Sequence, residues 1–211
     1  MKFLGLSILL ITASGAALAQ QWEFGGVGGG GFLSNVSASG TVGSATAGFQ
    51  PGGAFGAFFG QNLFAHFTGE IRYEYLQNNL QLSSGSQTAR FSGMAHAIHY
   101  DLLWHTNRKN SKAQWFVAAG GGMKIFQGTG TEAAYQPLSQ YGYFTKTRAV
   151  KPMASVGAGM TYSLTPRLYL RTEFRDFITA FPTEIITPPQ NVKYGSLLHD
   201  FVPMVGIDYV F

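Results

Sequence analysis

The feature that most limits what this chain can fold into is a two-residue alternation of apolar and polar side chains, repeated in eight segments. These span residues 22–33, 49–59, 63–76, 89–104, 114–126, 150–162, 167–178 and 197–211. A period of two belongs to a β-strand with unlike faces, and no helical 3.6-residue period competes over comparable windows. Each segment reaches the roughly 9–11 residues that a tilted strand needs to cross a bilayer. The third places Leu63, Ala65, Phe67, Gly69, Ile71, Tyr73 and Tyr75 on one face and His66, Thr68, Glu70, Arg72 and Glu74 on the other. The last sets Phe201, Pro203, Val205, Ile207, Tyr209 and Phe211 against Asp200, Met204, Gly206 and Asp208.

The connections carry a second, independent rhythm. Long stretches at 34–48, 77–88, 127–147 and 179–196 alternate with short links near Gln61-Asn62, at 105–113 and at 163–166. Long loops on one side and tight turns on the other describe an up-and-down barrel with both termini on the short-turn side. Closing the sheet removes the edges that eight apolar strands would otherwise expose. The fold class expected is therefore all-β, an eight-stranded antiparallel up-and-down transmembrane β-barrel. A soluble barrel with an apolar interior has the same periodicity, but it would expose the charged faces. It would also not gather Tyr73, Tyr75, Trp104, Trp115, Tyr162 and Tyr209 near segment ends, where aromatic girdles meet headgroups.

Composition narrows the functional classes. Of 211 residues only 11% are charged, against about 25% in an ordinary soluble domain. The chain has no Cys, which excludes disulfides, thiolate metal sites, a Cys nucleophile and a lipid-anchored N-terminal Cys. A net charge of +4 spread without a basic block argues against nucleic acid as a partner. Residues 1–19 read as an export signal: Lys2, an apolar run over 3–11, and Ala17-Leu18-Ala19 as a small-x-small cleavage site. The expected organisation is thus a signal peptide at 1–19 and a barrel domain at 20–211, starting at Gln20.

With these features the chain resembles the small eight-stranded outer-membrane β-barrels of the OmpA/OmpX-like superfamily. The resemblance covers the mature chain and includes the terminal Tyr209-Val210-Phe211. It implies a Gram-negative-type outer membrane, contact with outer-membrane lipid and lipopolysaccharide, and folding by the barrel assembly machinery. Ile207, Tyr209 and Phe211 match the C-terminal pattern which that machinery reads in the family. Members of the group share no activity. They include tethers, adhesins, narrow pores and lipid-modifying enzymes, and a tether role is not expected here because no further domain follows the last strand.

Candidate functional residues fall into a few sets. Glu70, Arg72 and Glu74 in the third segment mirror Arg171, Glu173 and Arg175 in the seventh. Alternate spacing puts each triplet on one face. Strands three and seven of eight stand on opposite walls of a lumen just wide enough for side chains to fill. The expectation is a lumen plugged by Glu–Arg pairs, extended by Lys124, Lys151, Asp101 and Asp208; local pairing along each wall is the alternative. For catalysis, His99 and Asp101 share a face but Ser92 does not, so a Ser-His-acid set fails on geometry. His96 and His99, three apart on a strand, face opposite ways and cannot share a metal ion. The glycines from Gly25 to Gly31 lack the Lys-Ser/Thr of a phosphate loop and read as a place where strands approach closely. No catalytic, cofactor or metal residues are expected. In the loop at 127–147, Tyr135, Tyr141, Tyr143 and Phe144 are candidate contacts for an extracellular ligand of unknown identity. The function expected is a non-enzymatic envelope or surface-interaction protein acting through its long loops. A narrow pore gated by the lumen pairs and a lipid A-modifying enzyme are the alternatives.

Overall fold

The computed structural model describes residues 22–41, 43–106 and 111–211; the expected export signal and the start at Gln20 lie outside the described residues. The strands in chain order are β1 (Trp22–Leu33), β2 (Val36–Gly40), β3 (Gly43–Phe49), β4 (Gly52–Phe64), β5 (Phe67–Leu76), β6 (Leu80–Ser84), β7 (Gln87–Phe91) and β8 (Gly93–His105). There follow β9 (Ala113–Gly128), β10 (Tyr143–Phe144), β11 (Arg148–Ser163), β12 (Leu168–Ala180), β13 (Ile186–Thr187), β14 (Val192–Tyr194) and β15 (Leu197–Val210). Eight of them, β1, β4, β5, β8, β9, β11, β12 and β15, close into an antiparallel barrel in which β1 pairs with β15. The expected fold class is the observed one.

The faces are those of a membrane barrel. On β5, Ile71 is 55% exposed and the adjacent Arg72 1%; on β12, Phe174 is 50% exposed and Arg175 0%. An apolar exterior around a charged interior is stable only where the exterior solvent is hydrocarbon. Trp104, Trp115, Tyr162 and Tyr209 stand outward near the short-turn end, and Trp22 stacks on Phe59 beside them. Towards the other end Tyr73 is hydrogen-bonded to His96 at 2.8 Å and Asp176 to His199 at 2.8 Å. These polar pairs mark where the apolar band ends.

Two strand boundaries differ from the sequence expectation. The first tight turn lies at Ala65-His66, because β4 runs on to Phe64 through a register irregularity between Asn62 and Phe64. Leu63 therefore belongs to β4 rather than to β5. The segment expected at 89–104 is interrupted at Ser92, so that Ala89 and Phe91 lie on β7 and only β8 enters the barrel wall.

The larger difference concerns the long connections, which are not irregular loops. They contribute a five-stranded sheet in the order β14-β2-β3-β6-β7 and a second pair, β10 with β13. Each sheet draws on more than one connection, so the four are woven into one cap over the long-loop end. Its interior is apolar: Ala38, Ala47, Leu80, Leu82 and Ile186 are fully buried, and Phe49 stacks on Phe126 at 5.6 Å. This core continues downward into the upper lumen through Phe126, Phe177, Met153 and Leu198.

Candidate functional site: a charged layer inside the barrel

Below that apolar core lies a layer of buried charge. Glu70, Arg72 and Glu74 project inward from β5, and Arg171, Glu173 and Arg175 from β12, all at most 5% exposed. The structure brings the six together across the lumen. Arg72 Nη2 donates to Glu173 Oε1 at 2.5 Å, and Arg171 donates through Nη1 and Nη2 to Glu70 at 2.6 and 3.1 Å. Within each wall, Arg72 also reaches Glu70 and Glu74, each at 3.0 Å, and Arg175 Nη2 reaches Glu173 at 3.1 Å. The expected cross-lumen pairing and the alternative of local pairing thus occur together. Paired, hydrogen-bonded charges of this kind are tolerated in a dry interior, where single ones are not.

The layer extends through β8. Asp101 accepts from Arg175 Nη1 at 2.5 Å and from Ser155 Oγ at 3.2 Å, and it lies 2.9 Å from His99 Nδ1. His99 Nε2 stands 3.5 Å from Glu74, so the ring bridges two carboxylates. Aromatic faces fill what remains: the Arg171 guanidinium lies 4.3 Å from the Phe58 ring centroid and 4.7 Å from that of Phe116.

Room for such long side chains comes from glycine. Across the ladders, Glu74 faces Gly56, Glu70 faces Gly60, His99 faces Gly122, Asp101 faces Gly120, Arg175 faces Gly157 and Glu173 faces Gly159. A Cβ at Gly157 would stand 2.5 Å from Arg175 Cδ, and one at Gly56 would stand 2.6 Å from Glu74 Cγ. The charged chains therefore lie flat over their neighbours' glycines before turning to meet each other. Sequence reasoning missed this role. Glycines two apart, Gly120 and Gly122 on β9 and Gly157 and Gly159 on β11, were the available signal.

Of the expected extensions, Lys124 forms a buried ion pair with Asp200, nearer the cap, with its ammonium 5.0 Å from the Phe126 ring centroid. Lys151 is a correction. It belongs to the cap, where it donates to Glu184 at 2.7 Å, because β11 extends beyond the charged layer. Slight desolvation pushes the Glu184 carboxyl up, but the Lys151 hydrogen bond and charge outweigh it and hold the carboxyl below its ordinary value. A depressed carboxyl contributes stability that is present above the unfolded value and lost as pH falls through the folded one. With the Glu184 side chain 47% exposed, Lys151→Gln is expected to cost no more than about 1 kcal/mol at neutral pH. In urea unfolding that difference should begin to shrink as pH falls below the ordinary Glu value of about 4.3 and should vanish once the folded carboxyl is protonated.

The loop contacts also need correction. Tyr141 and Phe144 are buried in the cap, where Phe144 stacks on Phe91 at 5.6 Å. Tyr194 donates to the Tyr141 carbonyl at 2.8 Å, and burial pushes the Tyr194 phenol up. Only Tyr135 and Tyr143 present exposed rings, Tyr135 most of all at 79%. Ile207, Tyr209 and Phe211 stand outward at the short-turn end, with Tyr209 stacked on Phe211. Ser155 donates to Asp101 and Ser92 lies exposed outside the lumen, so neither serine is paired with His99 as nucleophile to base.

No protein-family profile matches the chain, and no curated protein matches it. Solved structures do. The chain is similar to Neisserial surface protein A over 90% of its length and 97% of that chain, with 11% identity and a TM-score of 0.55. It is likewise similar to the outer membrane protein OprG from Pseudomonas aeruginosa over 90% of its length and 95% of that chain, with 14% identity and a TM-score of 0.56. The fold is that of the small eight-stranded outer-membrane β-barrels.

Proposed function

We propose that this chain is a non-enzymatic protein of a Gram-negative-type outer membrane, closed to solutes, that serves envelope structure or surface interaction through its folded cap. The observation that carries this reading is the double closure of the lumen. The charged layer fills the barrel at mid-height, and a packed core, apolar apart from the buried Lys124–Asp200 pair, fills it from there to the cap. Opening a path would require both the separation of buried ion pairs and the removal of a packed apolar core. The first alone leaves charges uncompensated in a dry interior. The long-loop end faces outward in such barrels, so the cap is the extracellular surface and Tyr135 and Tyr143 are its exposed aromatic contacts. Lipopolysaccharide and outer-membrane lipid surround the apolar band, and Ile207, Tyr209 and Phe211 serve as the assembly signal for the barrel machinery.

Planar-bilayer recording of the refolded protein tests the closure. Wild type and Glu173→Gln are both expected to be silent, because the apolar core remains when the charged layer is weakened. Regular current steps in the wild type would replace this reading with a pore. Steps in Glu173→Gln alone would make the charged layer the gate.

A further inference from the structure

The short-turn end of the lumen is not filled. A cavity of about 460 Å³ opens there, lined by Glu23, Gln114, Thr161, Tyr169, Arg171 and Asp208 among others. The cavity wall sets Glu23 and Asp208 against Arg171, with His105 and the exposed Lys112 also lining it, and the lumen as a whole holds more buried acidic than basic side chains. Among the described residues, seven buried carboxylates (Glu23, Glu70, Glu74, Asp101, Glu173, Asp200, Asp208) face three guanidinium groups, the Lys124 ammonium and the His99 imidazole. Five of the carboxylates have a direct cationic or imidazole partner. Glu23 and Asp208 make no ion pair among the described residues, and both line the cavity. Asp208 is 3% exposed, and its Oδ1 has no hydrogen-bond partner. Arg171 borders the same space, but its Nη1 and Nη2 are held by Glu70 and its Nε by Glu173.

We propose that this cavity binds a small organic dication of the linear diamine class, whose two ammonium groups neutralise Glu23 and Asp208. The two carboxylates stand on neighbouring strands in diagonal register, Glu23 opposite Val210 and Asp208 opposite Gly25. Such positions lie about 7–8 Å apart, so one flexible chain reaches both. The volume falls in the range of small-molecule sites, about 300–1,000 Å³, rather than that of a bare ion. No group of three metal-ligating side chains occurs among the described residues, and two carboxylates alone supply too few oxygens for a calcium ion. Gln114 and Thr161 offer further oxygen acceptors along the wall. The site is independent of the cap and of any role the cap has.

Isothermal titration calorimetry of the full chain in zwitterionic micelles, with putrescine as the probe, tests this. Saturable one-site binding is expected at neutral pH. Glu23→Gln and Asp208→Asn are each expected to weaken it at least about tenfold, and the double variant to abolish it. Putrescine should raise the unfolding midpoint of the wild type but not of the double variant. Without ligand the variants should unfold no earlier than the wild type, since neither carboxylate gives up an ion pair. Absence of saturable binding, unchanged affinity in Asp208→Asn, or earlier unfolding of the ligand-free variants would each overturn the proposal. So would tighter binding of magnesium or calcium chloride than of putrescine.

Discussion

Glu173→Leu is expected to lower the unfolding free energy by about 3–5 kcal/mol, the cost of removing one partner from a buried charge network. Three guanidinium groups converge on this carboxylate: Arg72 at 2.5 Å, Arg171 at 3.1 Å and Arg175 at 3.1 Å. Leucine conserves bulk but leaves the three cations to share Glu70, Glu74 and Asp101. Glu173→Gln keeps an acceptor oxygen while losing the charge, so its loss should be smaller. Phe174→Leu, one residue away on the lipid face, is the control. Its ring is 50% exposed, and the substitution should cost no more than about 1.5 kcal/mol. Urea unfolding in micelles, read by tryptophan fluorescence, gives the three values. A loss below about 1 kcal/mol in Glu173→Leu would mean that the layer is hydrated and behaves like a surface ion pair. Arg72→Leu in the same background should then recover part of the loss, because it removes a cation that the first substitution left unpaired.

That layer was legible in the sequence because its signal is local. Three charges at alternate positions share a face whatever the rest of the chain does, and a count of strands places the two triplets opposite each other. The six glycine positions that make room for the layer depend on register. Gly56, Gly120 and Gly157 are informative only once Glu74, Asp101 and Arg175 are known to face them. The juxtaposition of Glu23 and Asp208 is further from view, since it arises where the first and last barrel strands meet. The cap was misread for a different reason. Ala38 and Ala47 are its fully buried residues on β2 and β3, and an Ala/Ser alternation carries almost no hydrophobic contrast. Tyr141 and Phe144, read as loop contacts, supply the bulk that those small residues lack. Aromatic residues in a long connection can serve a core within that connection as readily as a ligand outside it.

Leu82→Asp should separate the cap from the barrel. Leu82 is fully buried on β6, opposite Ala47 on one side and Ala89 on the other. A carboxylate there has no cation among these neighbours, and burying an unpaired charge costs several kcal/mol. The least costly escape is local: β6 and β7 peel from β3, and the five-stranded sheet opens while the barrel ladders remain closed. Trypsin should then cut at Arg90 on β7, and at Lys193 on β14 at the other edge of the sheet, at least about tenfold faster than in wild type. The membrane-embedded strands should stay resistant, and β-structure measured by circular dichroism should fall only by the share that the cap contributes. A variant that lost barrel and cap together would show that the apolar core running from Leu82 to Phe177 makes them one cooperative unit. Glu173→Leu then discriminates between the two arrangements from the other side. In separable units it weakens the barrel while Arg90 stays protected, whereas in a single unit it exposes Arg90 as strongly as Leu82→Asp does.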